Sequence, residues 1–99
     1  MKVLQVVPRR DIEGKLTSLL SEKERELRGS RTTFYRKRAG HWHHKKYKGW
    51  IGWSEAKGGI LVAEIHGAAD SEWQLLRAFV GYLERHLEEE IESITIHYR

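Results

Sequence analysis

Apolar residues fall into groups along this chain, and their spacing changes from one group to the next. Val3, Leu4, Val6 and Val7 crowd a short run that ends at Pro8. β-forming residues on both faces predict a strand over Lys2 to Val7 that is buried on both sides, and so central in a sheet. Ile12, Leu16, Leu19, Leu20 and Leu27 then recur at helical intervals, with Ser21, Glu22, Glu24, Arg25 and Glu26 mostly opposite them. This pattern predicts a helix capped by Asp11, running to about Arg28 and stopped at Gly29.

From 31 to 66 no helical stripe is present. Arg31 to Arg38 reads as a strand, Ala39-Gly40 as a turn, and His41 to Trp53 as a second strand bent at Gly49 and Gly52. Lys57-Gly58-Gly59 marks another turn before Ile60 to Ile65, which is apolar nearly throughout and again central. After the loop Gly67-Ala68-Ala69, Asp70 or Ser71 caps a second helix, with Ser71 and Gln74 spaced as a capping box. Trp73, Leu76, Phe79, Val80, Leu83 and Leu87 give that helix a buried face, and it should end near Glu89 or Glu90. Ser93 to Arg99 alternates, with Ile94, Ile96 and Tyr98 on one side and Thr95, His97 and Arg99 on the other, as in a strand with one wet face.

The order is therefore β-α-β-β-(β)-α-β over one domain of 99 residues. Two amphipathic helices need an apolar sheet face to cover, and two β-α-β crossovers place the first and penultimate strands centrally. These requirements predict an α+β, ferredoxin-like two-layer sandwich, an antiparallel sheet covered on one face by two helices. Residues 31–53 exceed what one edge strand needs, and a protruding basic hairpin is expected there.

Charge sharpens this picture. The chain carries 18 Lys plus Arg against 14 Asp plus Glu, a formal net charge of +4. Seven of the cations lie between Arg31 and Lys48 with no acid among them, leaving the remainder of the chain net acidic. Six of the ten aromatic residues, Phe34, Tyr35, Trp42, Tyr47, Trp50 and Trp53, fall in or just after the same stretch. Phosphates attract Lys and Arg irrespective of sequence, and bases stack on aromatic faces. Nucleic acid, RNA or DNA, is thus the expected partner. Arg36, Lys37, Arg38, Lys45, Lys46 and Lys48 would hold phosphates, and Trp42 and Tyr47 would contact bases. Phe34, Trp50 and Trp53 are better assigned to the core or to covering the sheet. The central strands lack the aromatics of an RNA-recognition domain, so that binding mode is not expected.

Other chemistries find less support. No cysteine is present, which excludes disulfides, thiolate catalysis and cysteine-ligated metal. His41 and His43 share a strand face and, with His44, His66, His97 or Glu64, suggest a metal set; the six cations between 36 and 48 repel a dication. No metal and no cofactor are expected. Glu64, between apolar neighbours, and His66 are the candidates for an acid–base pair acting on a phosphodiester. A small metal-dependent or His/Glu phosphodiesterase is therefore one alternative. Another is a homodimeric assembly or adaptor, pairing through edges 31–38 or 93–99 and meeting an acidic protein partner. The run from Met1 to Pro8 is too short for a secretory signal and contains Gln5. No membrane span is expected, and the default location is cytoplasmic.

Overall fold

A computed structural model describes residues 1–30 and 32–98. Arg31 and Arg99, the expected first and last residues of two strands, lie outside the described residues. The elements are β1 (Lys2–Pro8), α1 (Leu16–Leu27), β2 (Phe34–Arg38), β3 (His41–His44), β4 (Trp50–Glu55), β5 (Leu61–His66), α2 (Glu72–Leu87) and β6 (Ile91–Tyr98). Short 3-10 turns at Lys57–Gly59 and Glu88–Glu90 precede β5 and β6. The sheet is open and six-stranded, in the order β2-β3-β4-β5-β1-β6. Every neighbouring pair is antiparallel. The architecture is therefore α+β, a sheet layer with a helix layer against it, and β1 and β5 lie side by side in the interior.

Strand alternation decides which residues meet the helices. Leu4 and Val6 of β1, Ile51 of β4, and Leu61, Ala63 and Ile65 of β5 are fully buried. They form one core with Leu16 and Leu20 of α1 and Leu75, Leu76, Phe79, Tyr82, Leu83 and Leu87 of α2. Glu24 is buried at the edge of this core, where Arg28, one helical turn on, donates to both its carboxylate oxygens.

The expected protruding hairpin takes a different course. Its turn falls at Ala39-Gly40, as the sequence predicts, but its strands continue the main sheet as β2 and β3. Phe34 and Trp42 drive this. They meet α2 edge-on, with Phe34 6.0 Å from Phe79 and Trp42 5.3 Å from Tyr82 between ring centroids. Burying each such side chain stabilises by about 2–3 kcal/mol, whereas like charges facing across an exposed strand pair cost about 0.2–1 kcal/mol. Packing wins, and the cationic hairpin extends the sheet at its edge.

Local details also depart from the sequence pattern. α1 begins at Leu16, not after Asp11, because Gly14 adopts φ +86° and interrupts the helical path. The predicted long second strand is two strands, β3 and β4, separated by Lys45–Gly49. Gly49 sits at φ +114°, where a Cβ would come within 2.1 Å of the His66 carbonyl oxygen. No other residue fits there. Ser71 does stand at the start of α2, but no capping box forms: its hydroxyl donates to the Lys48 carbonyl oxygen at 3.1 Å. Trp73, expected on the buried face, is 44% exposed, since the buried face centres on Leu75, Leu76, Phe79, Tyr82 and Leu83 and Trp73 lies to one side of it.

Candidate nucleic-acid interface

The strand register determines what the uncovered sheet face presents. Tyr35 pairs with His43 across β2 and β3, and Arg36 pairs with Trp42. A bulge then shifts the register so that Arg38 faces His41. His41 pairs with Gly52 of β4, Gly52 with Glu64 of β5, and Trp50 with His66. Because alternate residues share a face, Phe34, Trp42 and Ile51 point to the helices. Tyr35, His41, His43, Trp50, Glu64 and His66 point away from them.

These outward side chains form a continuous row across four strands. Tyr35 lies parallel to His43 at 5.6 Å between centroids, and His43 is 5.1 Å from His41. His41 stacks on one face of Trp50 at 4.3 Å and His66 on the other at 3.9 Å. His66 Nε2 ends the row 3.0 Å from Glu64 Oε1. Gly52 makes the central stack fit, since a Cβ there would come within 2.8 Å of the Trp50 ring. His41 Nε2 and His43 Nε2 are 3.2 Å apart, one donating and the other accepting. Burial holds the His41 pKa below its ordinary 6.5, and Arg38, His43, Lys37 and His66 add to that depression. The row is thus a series of stacked planar rings on the open face, with cations around it.

All six expected phosphate-holding residues, Arg36, Lys37, Arg38, Lys45, Lys46 and Lys48, are exposed. Among the described residues none of the six makes an ion pair, whereas Lys2, Lys15, Lys23 and Arg28 each pair with a glutamate. They are not all on one surface. Arg36 borders a cleft on the helix side with Glu24, Arg28 and Trp53. Arg38 lies at the turn end of the open face beside His41, Trp50 and Glu64. Lys45, Lys46 and Lys48 rim an open depression of about 350 Å³ at the other end of β3, together with Tyr35, His43 and Trp50.

The lysine-bearing connection has defined anchors. The Lys45 amide donates to the Thr33 carbonyl at 2.8 Å, and the Lys46 amide to His44 Nδ1 at 2.9 Å. Burial, with Lys46 nearby, pushes the His44 pKa down and keeps Nδ1 free to accept. Ser71 holds the far end through Lys48.

Of the two residues expected from the sequence to contact bases, Trp42 is reassigned by this geometry, while Tyr47 lines the lysine-rimmed depression with His44 against its ring. Trp42 is 1% exposed and wedged among Phe34, Trp53, Phe79 and Tyr82. Tyr47 is partly buried, with His44 stacked on it at 4.7 Å and Lys46 Nζ 5.6 Å from its centroid. Tyr35 and Trp50 occupy the open face instead; their alternation relative to Phe34 and Ile51 was the available signal. The expected histidine set is also split. His44 faces the core against Phe34, Trp50 separates His41 from His66, and His97 on β6 lies four strand spacings from β3, roughly 19 Å. Among the described residues, no group of three or more His, Cys, Asp or Glu is placed to hold a metal ion. Glu64 and His66 do meet, on the open face. Among the same residues no helix is long and apolar enough to cross a membrane. Comparison with protein families, with curated proteins and with solved structures finds no match to this chain.

Proposed function

We propose that the protein is a non-catalytic nucleic-acid-binding protein of the cytoplasm. Its binding surface would be the basic end of the open sheet face, from Arg38 across the ring row to Lys45, Lys46 and Lys48. The observation that supports this reading best is that six exposed cations are concentrated at 36–48 and none of them has a carboxylate partner among the described residues. Unpaired positive charge at an edge, beside planar side chains, suits a polymer of phosphates and bases. We further read β6-β1-β5-β4 with the two helices as a ferredoxin-like unit, widened at one edge by β2 and β3. On this reading the exposed edges β2 and β6 are the places where a second copy would extend the sheet into a homodimer.

The test is fluorescence anisotropy of a labelled oligonucleotide at low salt, with wild type and the charge-reversed Lys45→Glu/Lys46→Glu variant. Both side chains are exposed, so the variant should keep its circular dichroism spectrum while losing binding. Undiminished affinity in the folded variant would sink the proposal. Absence of binding in wild type, joined with capture of an acidic protein, would favour the adaptor reading instead.

A further inference from the structure

We infer that the site takes single strands, with one base stacked on the outer face of Tyr35 as the next member of the ring row. This rests on the nucleic-acid reading above and narrows it to a strand type and a contact residue. In a duplex the faces of the bases are hidden within the stack, whereas an unpaired nucleotide offers them to an aromatic platform. The question is which ring has a face to give. Trp50 has none, since His41 and His66 cover its two sides at 4.3 and 3.9 Å. His41 and His43 each have ring neighbours on both sides.

Tyr35 differs in two respects. It is 42% exposed, and its one ring neighbour among the described residues is His43, inclined to it by only 21°. It also stands on β2, the edge strand, with no strand beyond it among the described residues. The row therefore ends at an open ring face that looks over the side of the sheet. A base arriving there continues the series Tyr35–His43–His41–Trp50–His66. Lys45, Lys46 and Lys48 rim the same depression as Tyr35, so the phosphates flanking that base lie beside three ammonium groups. Stacking on a tyrosine face accepts any base. The site is accordingly one of low sequence preference.

The experiment uses the full chain and three labelled ligands of equal length: a mixed-sequence single strand, an abasic strand carrying the same phosphates, and a blunt duplex. Anisotropy titrations compare wild type with Tyr35→Ala and Tyr35→Phe, and thermal melts confirm that each exposed-site variant is folded. Tyr35→Ala should weaken single-strand binding roughly tenfold, within the range for one base–aromatic stack. Tyr35→Phe should restore it, and neither variant should change binding to the abasic strand or the duplex. Equal single-strand affinity for wild type and Tyr35→Ala, or tighter binding of the duplex than of the single strand, would overturn the inference while leaving nucleic-acid binding standing. Failure of all three ligands to bind wild type at low salt would overturn both.

Discussion

Salt offers a quantitative test of how many cations touch phosphate. Lys37, Arg38, Lys45, Lys46 and Lys48 are exposed and, among the described residues, unpaired, whereas Arg36 borders the helix side and is left out of the count. Each phosphate contact on a single strand contributes about −0.7 to the slope of log affinity against log salt, so five contacts give about −3.5. Raising salt from roughly 50 to 200 mM should then weaken binding by about 100-fold. Lys45→Gln/Lys46→Gln removes two contacts without adding repulsion. Its slope should fall to about −2, and the same salt step should cost only about 20-fold. Anisotropy titrations at four salt concentrations measure both slopes. A wild-type slope shallower than about −1, or a variant slope equal to wild type, would refute the assignment of these side chains to phosphates.

Other perturbations test the fold that holds this surface. Trp42→Ala removes a fully buried indole and should destabilise by about 3–5 kcal/mol in urea denaturation; a loss below about 1 kcal/mol would mean that the hairpin is not seated on α2. Gly49→Ala combines a positive φ with a collision at the His66 carbonyl and should cost about 2 kcal/mol or more, while Gly58→Ala, with open space around it, should cost about 1 kcal/mol. His41, His44 and His86 all have pKa values below their ordinary 6.5, with burial the first cause in each. The unfolded chain therefore takes up protons there before the folded one does, and stability should decline as pH falls from about 6.5 through the lower folded values; equal urea midpoints at about pH 7.5 and 5 would contradict this. Burial, joined by the charges of Glu24 and Glu26, raises the Tyr82 pKa to about 12, so its phenol should stay protonated beyond the ordinary 10 and stability should fall as pH rises through that interval, which a thermal melt series would show.

Much of the framework was legible because its signals are local. The apolar runs at 3–7 and 60–65, the helical recurrence from Leu76 to Leu87, the stop at Gly29 and the turn at Ala39-Gly40 each follow from a few neighbouring residues. What escaped depended on partners far along the chain. Trp42 sits among charged neighbours, and only the pairing of β3 with β4 directs it to Phe79 and Tyr82. The stack of His41, Trp50 and His66 joins three strands and requires the register Trp50 to His66, which no local pattern encodes. The cations at 36–48 were legible as a group, but their division between Arg36 on the helix side and the lysines on the open side depends on the sheet. Gly14 carried a local signal against an early helix start, outweighed in the pattern by Asp11 and Ile12.

The fastening of Lys45–Gly49 at both ends has a consequence for the free protein. Folding fixes Lys45, Lys46 and Lys48 around one depression, whereas the unfolded chain lets these neighbouring side chains turn away from one another. Their mutual repulsion is therefore present in the native state and relaxed on melting. Dissolved salt screens it, with a range of about 10 Å at 0.1 M, and in that respect favours the folded protein alone, while it weakens the surface ion pairs elsewhere. An anion lodged among the three lysines likewise favours the fold by binding only the folded form. On the proposed function, salt thus acts with opposite sign on two equilibria of one surface: the concentration that strips a bound strand away also eases the repulsion among the lysines it leaves bare.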